Sequence, residues 1–370
     1  MTSRALQSMR VALLHQGAPV PHVGGVIKPM KPGGYSDSSA DIAYALKTRG
    51  INVITPASHP DVRKDLDWSF PDTPSAIRQA VTEHGVNVFW ANTILHSKHA
   101  IVELADFLIE KRVKMVGQSP LDTEKYDDKE WLNRWLVQSH EGLQRCFAEN
   151  QLITAKDVDR LDELNLPAVI KPVRGRGSHG VKVVRDKEQL KRGVEALLKE
   201  SDAIIYEEFL EGEETTITVM PPGEYTNGRK EGYWALPVVT RFDQVDDVAP
   251  WNGTVPVMDN SRALTPEEHA ADPAYGIAQR QCELVAEACQ ATAPIRIDCR
   301  RRRRSEGNGG EIILFDVNMK PNATGTGRPG REKQTSLVAL AAEAIGWDYP
   351  ELCVNTLAQA VDLKSLLDRE

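Results

Sequence analysis

The sequence predicts an α/β (α+β) protein, with an N-terminal parallel-sheet region followed by two α+β regions. Three observations lead there. Short apolar runs alternate with helix-length segments as far as about residue 120, the pattern of a parallel sheet covered by helices. Beyond that point hairpin-like strand pairs replace the alternation. Near the C-terminus two β-prone segments, Ile295-Arg296-Ile297-Asp298 and Leu314-Phe315-Asp316-Val317-Asn318, flank a polar stretch ending in Ser305-Glu306-Gly307-Asn308-Gly309-Gly310, which reads as an antiparallel ribbon. At 370 residues, 41% of them hydrophobic, the chain is long enough for two or three domains. The expected divisions are 1–122, 123–214 and 215–370.

Arg10 to His15 is an apolar strand, and Ala40 to Lys47 a helix closed by Gly50. Strand Ile51 to Thr55, helix Ala76 to Glu83, strand Val86 to Ala91, helix 101–111 and strand 113–117 continue the alternation. The long Gly/Pro-rich connection Gly17 to Gly34 leaves the C-terminal end of the first strand, where parallel sheets bind ligands. Helices Asp122 to Gln138 and Thr154 to Leu161 follow, then strand 167–173, a glycine-rich turn, strand 180–185, helix 187–199 and strand 203–209. The remainder is mostly β to about residue 320, interrupted by helix 266–291, and ends in helices 335–346 and 350–360. Trp131 and Trp135, four apart on a helix, read as packing residues.

A net charge of −8 argues against a nucleic-acid partner. No apolar run approaches the ~18 residues of a membrane span, and Met1 to Met9 lacks a signal peptide's apolar core. Five cysteines without metal-ligand spacing fit reduced thiols. A cytoplasmic protein with no membrane partner is the expectation. The run Arg300 to Arg304 reads as a solvated hairpin loop, with an anion-binding patch as the alternative.

Folding the C-terminal ribbon about Gly307 puts Asp298 opposite Asp316 and Arg296 opposite Asn318. The two-residue period places Asp316 and Asn318 on one face. Three hard oxygen ligands beside a guanidinium suit Mg²⁺, which completes its octahedron with water and phosphate oxygens. In the middle of the chain, the turn from Lys171 to Gly180 holds three glycines between two strands, suited to closing over phosphates with Lys171 as a point charge. Farther on, Tyr206-Glu207-Glu208-Phe209-Leu210 runs into Glu211-Gly212-Glu213-Glu214. Carboxylates at a strand exit can accept from adenine or ribose while apolar neighbours sandwich the base.

The order of these three features resembles the ATP-grasp superfamily, and within it the D-alanine–D-alanine ligase type. The similarity covers about residues 125 to 345, and the first 120 in outline. It implies an ATP-grasp fold whose two α+β subdomains clasp ATP. By position, Lys129, preceded by Asp128, and Lys171 would contact phosphates, with Gly177, Ser178 and Gly180 in the flap. Glu207, Glu208 and Leu210 would hold adenine, and Glu214 the ribose. Asp298, Asp316 and Asn318 would bind Mg²⁺, as two ions that Mn²⁺ can replace. Arg296 would polarise the acyl-phosphate carbonyl, with Ser178 and the Asn322 amide as further catalytic groups, and Ser336-Leu337 would bind the acceptor's carboxylate. The resemblance also implies a homodimer.

Several positions depart from the family pattern. Asp316 stands where glutamate is usual, and Asn322 where a glycine completes the oxyanion hole. A longer stretch, Ala323 to Gln334, carries Arg328, Arg331 and Lys333 and is expected to form a substrate-specific loop. Ser36 and Asp37 are the N-terminal substrate candidates, but Ser38 falls where glutamate is usual, and Ala91 to His96 replaces the family's His-Gly loop. D-alanine is therefore not the expected substrate. Arg241 is the candidate lid residue. The expected activity is ATP-dependent joining of a small-molecule carboxylate to an amine, an amino acid among them. A phosphotransferase and a non-catalytic nucleotide-binding protein are the alternatives.

Overall fold

In the computed structural model, residues 6–22, 30–175, 180–243, 257–302 and 310–368 are described. Strand Arg10–His15 sits at the centre of the first sheet, as its unbroken apolar run requires. Val11, Ala12, Leu13 and Leu14 are all fully buried, so both faces must be covered. One face, from Val11 and Leu13, packs with Ile42, Leu46, Leu337 and Leu352. The other, from Ala12 and Leu14, packs with Ile77, Phe89, Leu108 and Leu363. The sheet order is Val361–Asp362, Lys114–Val116, Val88–Ala91, Arg10–His15, Asn52–Val53, with Phe70–Pro71 also on the central strand. All pairings are parallel except that of Val361–Asp362, which returns from the far end of the chain.

The middle of the chain forms an antiparallel sheet in the order Asn150–Thr154, Ala203–Glu208, Ala168–Pro172, Lys182–Val184. Helix Lys187–Leu197 covers it through Leu190 and Val194 against Ile170 and Ile204. A third sheet runs Ser261–Ala263, Val239–Arg241, Glu214–Met220, Ile295–Arg301, Ile312–Asn318, and helix Pro273–Ala288 packs on Ile217, Ile295 and Ile297.

The expected elements differ from this at identifiable residues. The single helix over 122–138 is two, Pro120–Tyr126 and Lys129–Ser139, because Asp128 is extended and accepts from Trp131 N at 2.9 Å as an N-cap. Asp272 splits the expected 266–291 helix in the same way, capping Pro273–Ala288 through Ala274 N. The helix over 101–111 divides at Leu104. Strand Asn150–Thr154 was not expected; its two exposed residues, Gln151 and Leu152, break the apolar alternation. Tyr126, Trp131 and Trp135 stack on one another with centroids 5.5–6.2 Å apart, in keeping with a packing role.

The five cysteines are buried and free. Among the described residues no helix is long and apolar enough to cross a membrane.

Candidate active site

The C-terminal ribbon pairs in the register read from the sequence: Arg296 opposite Asn318 and Asp298 opposite Asp316. One residue later the register shifts, because Cys299 faces Leu314 and Phe315 is an extra residue in a β-bulge. The bulge releases the Phe315 carbonyl, which accepts from Lys171 Nζ at 3.1 Å. Two segments 144 residues apart are thereby tied together.

Asp298 is buried and fully engaged. Arg296 donates to both of its oxygens at 2.8 Å, Thr216 Oγ1 donates to Oδ1 at 2.8 Å, and Asn318 Nδ2 to Oδ2 at 3.1 Å. Burial alone would raise this carboxyl; the Arg296 guanidinium holds it below the ordinary carboxylate range. Across the ribbon Asp316 takes an ion pair from Lys129 and lies 3.5 Å from Asn318 Nδ2. Lys129 is aimed there by its backbone, whose N–H donates to Val173 O at 3.1 Å.

Asp298, Asp316 and Asn318 thus share one face. No group of three or more His, Cys, Asp or Glu side chains suited to a metal occurs among the described residues. The donor set of two carboxylates and a carboxamide nevertheless fits Mg²⁺, because waters and phosphate oxygens supply its remaining ligands.

Lys171 and Glu207 form a buried pair at 2.8 Å, 4% and 3% exposed respectively. Burial pushes the Glu207 carboxyl up, against the pull of Lys171. Glu214 is likewise raised by burial and holds Arg241 at 2.9 Å. Arg241 also lowers Asp298 electrostatically, so the lid candidate and the ribose candidate belong to the same charged cluster as the ribbon. Leu210 is buried beside Phe315. Glu208 forms a two-pronged contact with Arg302 at 2.6 and 2.7 Å.

Gly180 has φ +73°, and a Cβ there would come within 2.8 Å of Leu197. Glycine is therefore required where the flap re-enters its strand. Gly177 and Ser178 lie outside the described residues.

On the acceptor side, Ser336 is buried and caps helix Leu337–Glu343 through Ala339 N at 3.2 Å. The Leu337 side chain is in the main core, which leaves only its backbone to face a ligand. Asn322 lies outside the left-handed region, and its Oδ1 accepts from Thr324 Oγ1 at 2.8 Å. Ser36 is buried at the start of helix Ser36–Thr48. Asp37 pairs with Lys31 at 3.1 Å and faces Arg331 at 3.6 Å.

Two expectations need correction. Arg300 and Arg301 are not loop residues: they complete strand Ile295–Arg301. Arg301 reaches Asp272 at 2.9 Å, and Arg302 reaches Glu208. Arg303 and Arg304 lie outside the described residues. The 323–334 stretch spends its arginines on structure. Arg328, with a 2% exposed side chain, donates to Asp41 at 2.8 Å, and Arg331 reaches the same carboxylate at 2.8 Å.

Thr216, the Phe315 carbonyl and Arg174 escaped the sequence reading. Thr216 alternates inward from Ile217, a signal that was available; the other two depend on the bulge and on the fold. Arg174 Nη1 donates to Glu124 O at 2.8 Å and ties the flap's entrance to the helix pair bearing Lys129.

Residues 145–232 match the family model described as "D-ala D-ala ligase C-terminus". The D-alanine–D-alanine ligase of Paracidovorax citrulli is 26% identical over 211 residues, 56% of this chain and 55% of that protein. That of Acinetobacter baumannii is 28% identical over 228 residues, 58% of this chain and 62% of that protein. The chain thus spans little more than half the length of these curated relatives. The fold matches solved structures along almost its whole length. The ATP complex of Bacillus anthracis D-alanine–D-alanine ligase superposes with TM-score 0.61 at 15% identity, covering 97% of this chain and 98% of that one. The VanG D-Ala:D-Ser ligase of Enterococcus faecalis gives TM-score 0.63 at 15% identity, covering 95% and 99%. The fold is the ATP-grasp fold of D-alanine–D-alanine ligases, and the likeness read from the motifs is found in family model, relatives and architecture alike.

Proposed function

We propose that the protein is an ATP-dependent carboxylate–amine ligase that forms an amide or peptide bond through an acyl phosphate, with an amino acid as a substrate and D-alanyl-D-alanine not its product. The observation that carries this reading is the shared face of Asp298, Asp316 and Asn318, with Arg296 beside it and Lys129 and Lys171 converging from the central region.

Asp298, Asp316 and Asn318 would hold Mg²⁺, as two ions or with Mn²⁺ in their place, and the metal would neutralise charge on the ATP phosphates. Lys129 and Lys171 reach the same space with ammonium groups and would hold the phosphates as the substrate carboxylate attacks the γ-phosphorus. Arg296, held rigid by two hydrogen bonds to Asp298, would present its remaining donors to the oxyanion that forms when the amine attacks the acyl phosphate. The Asn322 amide and the Ser336–Leu337 turn are the candidate partners of the acceptor. No enzyme nucleophile is required, and each thiol is buried.

The departures at Ser38 and at Ala91 to His96 support a substrate other than D-alanine. Ser38 is buried and its hydroxyl donates to Tyr35 O at 3.1 Å, so it cannot stand in for a carboxylate.

The test is ADP release with Mg²⁺ over a panel of amino-acid acids and amines. Release that requires both partners is the expected result. Release with one hydroxyl compound alone would mean a phosphotransferase, and ATP binding without release a non-catalytic protein.

A further inference from the structure

Between the first sheet and the segment that follows Asn318 lies a partly open pocket of about 70 Å³. Its walls are apolar and come from distant parts of the chain. Trp90 and Val116 belong to the C-terminal ends of two parallel strands, Leu95 to the segment after the first of them, and Val338, Leu352 and Cys353 to two C-terminal helices. All six are buried. Lys320, Pro321 and Ala323 also line the space but are partly exposed. Gly117 and Pro294 are partly exposed lining residues as well, and the Lys320–Pro321 part of the rim starts two residues beyond Asn318, beside the ribbon.

A space with such walls binds water poorly and an apolar guest well. At roughly 10–15 Å³ per water-sized group, it takes about five such groups. That is enough for an aliphatic arm of three or four carbons and short of a benzyl group.

Asn92 adds a carboxamide to the wall. Asn92 is 2% exposed, and its Nδ2 donates to Ser38 Oγ and Ser39 Oγ at 2.9 Å and to Tyr35 O at 3.3 Å. The carboxamide is fixed by these contacts, yet no described residue donates to its Oδ1. That oxygen is open to accept a hydrogen bond from whatever occupies the space.

We propose that this cavity takes the side chain of the acid substrate, an α-amino acid with a branched aliphatic chain of three or four carbons, whose amino group donates to Asn92 Oδ1. The proposal rests on the ligase reading above. It puts the apolar arm in the cavity and the carboxylate at the mouth, beside Asn318. Alanine would leave most of the space empty, and each methylene buried in such a pocket is worth about tenfold or more in kcat/KM.

The experiment compares kcat/KM for ADP release with alanine, valine, leucine and phenylalanine as acids, in both chiral forms, against a panel of amines. The wild-type protein should prefer valine or leucine over alanine at least tenfold. Val338→Phe, which fills the cavity, should cut that preference at least tenfold while ATP binding stays unchanged. Leu352→Ala, which enlarges it, should move the preference toward phenylalanine and keeps the question answerable if the first variant does not fold. Asn92→Leu should raise KM for the acid and leave KM for ATP unaltered. Turnover with alanine as the best acid, or a preference indifferent to both cavity variants, overturns the proposal and leaves the ligase reading standing. No ADP release with any pair removes both.

Discussion

Lys171 Nζ lies 3.1 Å from the carbonyl oxygen of Phe315 and 2.8 Å from both carboxylate oxygens of Glu207. The contact joins the central sheet to the C-terminal ribbon at the one residue the ribbon leaves out of its ladder. A lysine expected to serve phosphate is therefore also the strut that sets the distance between the two walls of the proposed nucleotide cleft.

Lys171→Met should leave the Glu207 carboxylate buried without a partner and lower stability by about 3–5 kcal/mol. Adding Glu207→Leu should recover most of that loss, since a buried ion pair replaced by apolar side chains is often neutral. Nucleotide affinity should stay low in both. Urea denaturation and ATP titration of the two variants separate the strut from the phosphate contact.

Arg328→Met should be as damaging, although it lies in a stretch expected to face substrate. Asp41 is fully buried, and burial raises its carboxyl even with Arg331 and Arg328 opposing. With its folded pKa above the ordinary 3.8, Asp41 favours folding most below that value and loses the contribution as pH rises through the folded pKa. Removing Arg328 raises the folded pKa further, so the loss of stability should grow from acid toward neutral pH. Adding Asp41→Asn should abolish that growth. Melting temperatures across this range measure both effects.

His96 should make the fold sensitive to mild acid. Burial and the neighbouring His99 push its pKa down from 6.5 to about 4, while Glu124 and Asp72 pull the other way and Lys98 adds to the lowering. The folded state thus keeps the ring neutral where the unfolded chain binds a proton. Stability from this group is complete above pH 6.5 and drains away as pH falls toward about 4. His96→Gln should flatten the melting curve across that window; an identical slope in the variant would assign the loss to other groups.

The ribbon's geometry was legible because strand period and pairing register act locally: residues two apart share a face, and Asp298 meets Asp316 once the hairpin closes. The bulge at Phe315 was not legible, since no glycine or proline marks it. Helix breaks at Asp128 and Asp272 had a readable signal, an aspartate in N-cap position, which apolar periodicity overrode. The arginines from 300 to 302 looked like loop because their partners, Glu213, Asp272 and Glu208, are brought to them only by the fold. Arg328 and Asp41 lie 287 residues apart, so nothing local announces their pairing. Strand Val361–Asp362 is two residues long and gains its order from the edge of a sheet built at the other end of the chain.

In the proposed complex the ribbon and the two lysines face each other across the triphosphate of a metal-bound ATP. Calorimetric titration of ATP with and without Mg²⁺, on the wild-type protein and on Asp316→Ala, probes this arrangement. The wild type should bind ATP tightly and in a Mg²⁺-dependent way, and Asp316→Ala should lose that dependence while still melting cooperatively. Equal Mg²⁺ dependence in the two proteins would rule the arrangement out.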